Sequence, residues 1–365
     1  MNTSTAPQAA WIAYGTSESS LTSTAYYGGI IATENGSFSV DVASLESSTK
    51  YYYKAYMTVW NGSAYVDIEG EVLSFTSGSP SPVSDRGFLD CYEVPDITVQ
   101  GVSTGTETFG STSYYSYTTA NSNQRVVTHT FSYGGSTLRN YSMLYDRTKH
   151  AALWVAFVMN GDSYPWLVER SDSWKPDPAI PEGWQPSLSS GYQESSTYSR
   201  GHQAASNDRR TTPDQTKQTT YYSNMTPQLS GFNSGVWATL EGDIQKIGNA
   251  CTGSTMLFVV TGPIFGSGYI TTNDKSGTAC AVPTQYYKCI MKVSYSGDTP
   301  TTAVGAAYLM EHENGATRQN VSIDYIEQLT GFNFFANVPT DLQNAAEGEV
   351  HPTSYFPQKA TNTSE

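Results

Sequence analysis

The chain has 365 residues, more than one hydrophobic core usually serves, so two domains are the default expectation. Apolar residues make up 38% and charged ones 14%, with 27 tyrosines, a mixture that suits β-rich, loop-rich extracytoplasmic proteins better than helical cytosolic ones. A formal net charge of −14 argues against adhesion of the whole surface to polyanions, although a cleft sets its own potential.

Residues 1–78 read as short strands with turn punctuation, among them "AWIAYGT", "KYYYKAYMTVW" and "SAYVDIEGEVLSFTS". "NGS" recurs at 35–37 and 61–63, each time where a hairpin turn would need φ > 0 residues. The opening "MNTSTAPQAAW" lacks the basic and apolar parts of a signal peptide. A secreted, periplasmic or cell-surface form is still expected from composition, its signal removed or replaced by Met1. "SGSPSPVSDRG" (77–87) marks a linker, which divides the chain into domains at 1–78 and 90–340 with 79–89 between them.

Beyond the linker, "YSMLYDRTKHAALWVAFVMN" (141–160) carries a strand-like apolar run. "TMLFVVTGPIF" (255–265) reads as a strand buried on both faces, with "QYYKCIMKVSY" (285–295) as its partner. No run reaches the ~18 apolar residues of a membrane span. One helix is expected over 227–248, with Thr226 as N-cap, Pro227 in its first turn and a stripe of Phe232, Val236, Leu240, Ile244 and Ile247. The two glycines of its first turns, Gly231 and Gly235, would allow a start nearer 230. A shorter helix is expected at "SIDYIEQLTG", capped by Ser322 and closed by Gly331. The segment 341–365 reads as a peripheral tail. Cys91, Cys251, Cys280 and Cys289 lack C-x-x-C spacing, so one or two disulfides are expected, with all pairings open and buried thiols as the alternative.

Chemistry concentrates around "YSRGHQAASNDRR" (198–210) and the long helix. Asn233, Trp237 and Glu241 follow at a spacing of four, a ridge on which the amide and the carboxylate lie about 12 Å apart along the axis. One of them can ligate a divalent ion while the other holds its waters, the hard-oxygen, water-rich environment that Mg²⁺ prefers. His202 on a first strand, followed by a loop, a second strand ("TTYYSN") and the helix start, would face such an ion. Base, cation and arginine are the parts that phosphodiester hydrolysis needs.

"RGHQA", "YYSNMTPQ" and "FNSGVWATLE", in that order, resemble the DNA/RNA non-specific endonuclease family of the ββα-metal fold. "YEVP", "LFVVTGPIF", "VPTQYYK" and "IEQLTGFNFF" extend the resemblance over roughly 90–336. It implies an α+β nuclease domain with a central antiparallel sheet flanked by helices. It also implies His202 as general base, Asn233 as the direct ligand of Mg²⁺ (or Mn²⁺), and Glu241 orienting the ion's waters. Arg200 is expected near the scissile phosphate, Asn224 as support from the second strand, and Arg170 as a further transition-state arginine. DNA and RNA would be the substrates, with 5′-phosphate products. The chain departs from the family at Ser199, where an Asp commonly precedes Arg-Gly-His, and at Gln245, where relatives can carry Arg.

The first domain, through Leu45, Thr49 and Tyr51, resembles the tyrosine corner of fibronectin type III-like sandwiches and suggests a cell-surface or glycan partner. The contrasting reading is a catalytically impaired, nuclease-like surface or carbohydrate-binding protein. Arg209 and Arg210 read as a solvated loop before phosphate contacts, His312 as exposed, Trp237 as packing the helix against the sheet, and Trp166, Trp174 and Trp184 as loop packing, with base or sugar stacking as the alternative.

Overall fold

The computed structural model describes residues 9–27, 40, 42, 50–76, 91–97, 107–109, 112–181 and 183–359. Its contacts form two compact units, Met1–Ser84 and Asp85–Glu365. The first contains one antiparallel sheet of β1 (Ala9–Gly15), β2 (Ser23–Tyr26), β3 (Lys50–Trp60), β4 (Tyr65–Glu69) and β5 (Leu73–Thr76), in the order β2-β1-β3-β4 with β5 also on β3. Cross-strand aromatic pairs hold its register: Trp11 stacks on Tyr56 at 5.3 Å and lies 6.1 Å from Tyr26. The second NGS forms the β3–β4 turn, where Gly62 has φ 99° and the Asn61 side-chain oxygen accepts the Ser63 and Ala64 amides. Leu45, Thr49, the first NGS and the linker lie outside the described residues.

The second unit is built on nine antiparallel strands: β6 (Glu107–Phe109), β7 (Thr112–Thr118), β8 (Gln124–Tyr133), β9 (Ser136–Asp146), β10 (Ala151–Met159), β13 (Thr255–Ile264), β16 (Gln285–Ser296), β17 (Thr299–Glu311) and β18 (Gln319–Val321). They run in the order β18-β17-β16-β13-β10-β9-β8-β7-β6. Two small ribbons complete it, β11 (Tyr198–His202) with β12 (Met225–Leu229), and β14 (Thr271–Asn273) with β15 (Ala279–Ala281).

The central strands are buried on both faces because alternate residues point to different cores. On β13, Leu257 and Val259 join the core beneath the long helix, while Phe258 and Val260 join the opposite one. The apolar run that read as a two-face strand is therefore one. The structure is α+β, as the sequence implied, with α1 (Pro213–Gln218), α2 (Ser230–Phe232), α3 (Ala238–Ala250), α4 (Ile323–Thr330) and α5 (Thr340–Glu347) flanking the sheet. Ser322 caps α4 through the Tyr325 amide, and Gly331 closes it at φ 73°.

Several expectations are corrected. Pro227 is not helical: it pairs with Arg200 in the β11–β12 ribbon, where an edge position needs no amide donor, and the helix starts at Ser230. "TTYYSN" is not a strand, since Tyr222–Asn224 forms a 3₁₀ turn and the second strand begins at Met225. The expected tail, through residue 359, is part of the fold, with α5 packed on β17 and Phe356 buried. Cys251, Cys280 and Cys289 are separate buried thiols in three different core clusters, which removes the basis for a disulfide among them.

Candidate active site

The ribbon β11–β12 and the helix that follows it build the site. In β11, Gly201 sits opposite Thr226, with the Gln228 side chain across its α-carbon. A Cβ there would collide with the Gln228 side chain, so any residue but glycine before His202 would force that buried side chain to move. His202 ends the strand. Its Nε2 is buried without a hydrogen-bond partner, and its ring lies 5.5 Å from that of Trp174. Burial, reinforced by Arg170 and Arg200 and opposed by Asp172, pushes its pKa down to about 4. The imidazole is neutral at pH 7 and has a lone pair to accept a proton.

The helix does not run straight from ribbon to sheet. Between α2 and α3 lies a π-type turn, Asn233–Trp237, in which Gly235 leaves helical geometry at φ −98°, ψ −110°. This break changes the expected ridge. Trp237 turns into the core against Phe232 and Tyr286, while Asn233 and Glu241 both line a cavity of about 290 Å³. His202, Arg170, Asp208, Ala238 and Gln245 share its wall. One water needs only about 10–15 Å³ of such space, so the cavity has room for several waters. An amide oxygen and a carboxylate are hard donors, and with space for several waters they fit a Mg²⁺-type ion.

Glu241 presents a buried Oε1 without a hydrogen-bond partner, and burial raises its pKa to about 7. Behind it lie two groups that the sequence reading missed. Asp208 has both carboxylate oxygens buried and unbonded, and burial pushes it up to about 6. Lys288, wholly buried on β16, has no hydrogen-bond partner for its ammonium, which lies 4.8 Å over the Trp237 ring. Burial lowers its pKa, while Glu241 and Asp208 oppose that shift. A lysine inside a strand apolar on both faces was the available signal, since unpaired lysines are almost never fully buried.

Other candidates stand back from the cavity. Arg200 packs its guanidinium 3.8 Å over Trp174 and donates to the Leu188 and Ser189 carbonyls. Asn224, fully buried, bonds both Ala204 backbone groups and the Thr219 carbonyl, so it fixes the chain just past His202 rather than lining the cavity. Ser199 bonds Ser230 at 3.0 Å, and Gln245 donates to the Asn207 carbonyl at 2.7 Å.

Arg209 and Arg210 are not a solvated loop. Arg209 is buried and donates to the Asn140 and Val158 carbonyls, and Arg210 pairs with Glu169 against Trp166. His312 is not exposed either. Its Nε2 accepts the Leu229 amide at 2.8 Å and its Nδ1–H donates to the Pro283 carbonyl, which pins the end of β12 where the helix begins.

A strand–strand–helix unit that gathers a neutral histidine, an arginine and oxygen donors around a wet cavity defines a ββα-type site. Comparison with known sequences makes the class specific. Residues 121–341 match the family described as DNA/RNA non-specific endonuclease. The chain is 31% identical over 223 residues to a nuclease of Nostoc sp., covering 58% of this chain and 76% of the relative. It is 30% identical over 234 residues to a nuclease of Serratia marcescens, covering 62% and 80%. It is 31% identical over 211 residues to nuclease C1 of Cunninghamella echinulata var. echinulata, covering 54% and 80%. The chain belongs to the DNA/RNA non-specific endonuclease family, and as a member it is a phosphodiester hydrolase.

Proposed function

We propose that the chain cleaves DNA and RNA through the His202 cavity as a Mg²⁺-dependent endonuclease, with Mn²⁺ as an alternative ion and 5′-phosphate products. The observation that carries this reading is the convergence of Arg170, His202, Asn233 and Glu241 on one cavity. Neutral His202 takes the proton of the attacking water. Arg170, 52% exposed and ion-paired with Asp172 at 2.8 Å, would bring its charge to the phosphate. Asn233 would hold the ion directly, and Glu241 would orient its waters. A bound Mg²⁺ would supply charge neutralisation at the phosphate and the leaving oxygen. Arg200 and Asn224 act through their neighbours: one braces Trp174 beside His202, the other fixes Ala204.

An extracytoplasmic location belongs to this reading and rests on composition, since the buried thiols no longer support it. In the first unit, Tyr26 and Tyr65 are 69% and 56% exposed, which supports a surface or glycan-facing role. The test uses plasmid and RNA, each with Mg²⁺ or EDTA, beside His202→Ala. Cleavage that needs the ion and is lost in the variant is expected. Intact substrate at high protein concentration sinks the proposal.

A further inference from the structure

The charge of −14 is unevenly distributed. Residues 1–84 hold seven carboxylates and two cations, and residues 297–365 hold nine and two. The stretch 85–296, which contains every cavity residue, holds seventeen and fifteen and is close to neutral. Within it, several cations do not bond carboxylates. Arg147 donates to the Asn123 side-chain oxygen, Lys149 to the Tyr269 hydroxyl at 2.6 Å, Lys275 to the Gln193 carbonyl, and Arg200 to two loop carbonyls. Four cations also rest on aromatic faces: Arg147 on Trp184, Lys149 on Tyr269, Lys175 on Tyr221 and Arg200 on Trp174.

Direct contacts join most of these cations into one ridge that ends at His202. The β9–β10 turn is tied to the β14–β15 ribbon by the Ala281 amide on the Lys149 carbonyl and by His150 Nδ1 at the Ala279 carbonyl. That ribbon is tied to the loop before β11 by Gln193 on Asn273 and by the Ser187 amide on Asp274. The same loop receives Arg200, whose partner Trp174 flanks the His202 ring. Arg147, Lys175 and Lys275 are exposed, as are two nearby carboxylates, Asp172 and Glu194.

We propose that this ridge is a track for a single nucleic-acid strand, carrying the phosphates beyond the cleaved bond from the Lys149–Lys275 end past Arg200 to the cavity. Cations backed by aromatic rings suit one strand, whose phosphates meet the charges while its unpaired bases reach the half-buried rings of Trp174, Trp184 and Tyr269. Acidic surfaces elsewhere confine the strand to the ridge by repulsion. The inference extends the nuclease reading, and its test is separable from that reading.

Binding is measured in EDTA by fluorescence anisotropy on His202→Ala, with labelled single-stranded DNA of about twenty and about four nucleotides. Lys149→Ala/Lys275→Ala is expected to weaken binding of the long strand roughly tenfold and to lower its salt slope by about 1.4, at about 0.7 per cation. Binding of the short strand stays unchanged. Lys275→Ala alone, a change at an exposed loop tip, should lower the slope by half as much, about 0.7, and Lys359→Ala should leave it unchanged. An unaltered slope in the double variant overturns the track, as does an equal loss for the short strand. If the wild type fails to cut plasmid while these binding shifts appear, the hydrolytic reading falls and the track stands.

Discussion

Two carboxyls at the cavity, Asp208 buried and Glu241 half-buried, make stability depend on pH in a way that one substitution isolates. Burial raises the Glu241 pKa from 4.5 to about 7, so the folded state holds this proton more tightly than the unfolded chain does. The sign follows: Glu241 costs nothing below pH 4.5, and its stabilising proton is lost as the pH rises through 7. A shift of that size, at 1.36 kcal/mol per unit, puts the cost near pH 8 at roughly 3 kcal/mol, an order-of-magnitude figure. His202 has the opposite effect over a neighbouring window, because its depressed pKa restores stability between about 4 and 6.5. Comparing wild type with Glu241→Gln cancels that histidine contribution. Urea unfolding in EDTA at pH 5 and pH 8 should show the variant gaining roughly 3 kcal/mol on the wild type between the two conditions. Mg²⁺ added at pH 8 should restore the wild type and leave the variant unmoved. Parallel stability curves for the two proteins would refute the argument that Glu241 is buried and proton-bound without an ion.

The other expectations concern catalysis and packing. His202→Ala should lower kcat by about 10²–10⁴ at unchanged fold, since one positioned base contributes that range, and near-UV circular dichroism checks the fold. Lys288→Met removes the cation that holds Glu241 and Asp208 down, so the acid limb of the kcat/KM profile should move to higher pH; an unmoved limb denies Lys288 that influence. Gly201→Ala drives a Cβ into Gln228 and should cost about 1–3 kcal/mol in thermal or urea unfolding. Arg209→Met leaves the Asn140 and Val158 carbonyls without their donor and should destabilise by about 2–5 kcal/mol, with a smaller effect on KM for short substrates.

Periodicity and turn chemistry made much of the architecture legible. The two-face strand at β13, the cap and stop of α4 and the strand that bears His202 all follow local rules, and the structure keeps them. The failures share a cause, which is tertiary contact overriding local preference. Pro227 suits a helix start, yet its place opposite Arg200 is set by ribbon pairing. Arg209 looks solvated in isolation, yet carbonyls on β9 and β10 require a donor at that point. Four polar groups inside the fold, Asp208, Lys288 and the hydrogen-bonded His129–Asp177 pair at 2.9 Å, carry no spacing motif because their neighbours come from distant strands and loops. Asn233 and Glu241 were found by spacing and Trp237 packs inward as expected, but the break at Gly235 that takes it off their ridge is invisible to a regular 100° count.

That break also explains how one cavity holds opposed charges. On the ribbon side, burial first and then the nearby arginines keep the proton off His202, and Arg170 brings positive charge to the cavity wall. On the helix side, Glu241 and Asp208 make a negative wall, with Lys288 compensating from the core. A continuous helix through 233–237 would carry Trp237 round with Asn233 and Glu241 and place an indole between the two walls. Turning Trp237 inward lets it cover the Lys288 ammonium and leaves the two oxygen donors facing water. The local irregularity thus separates a dry, charge-compensated floor from a wet mouth. An ion that needs several waters and a phosphate that needs cations can then meet at the one neutral base between them.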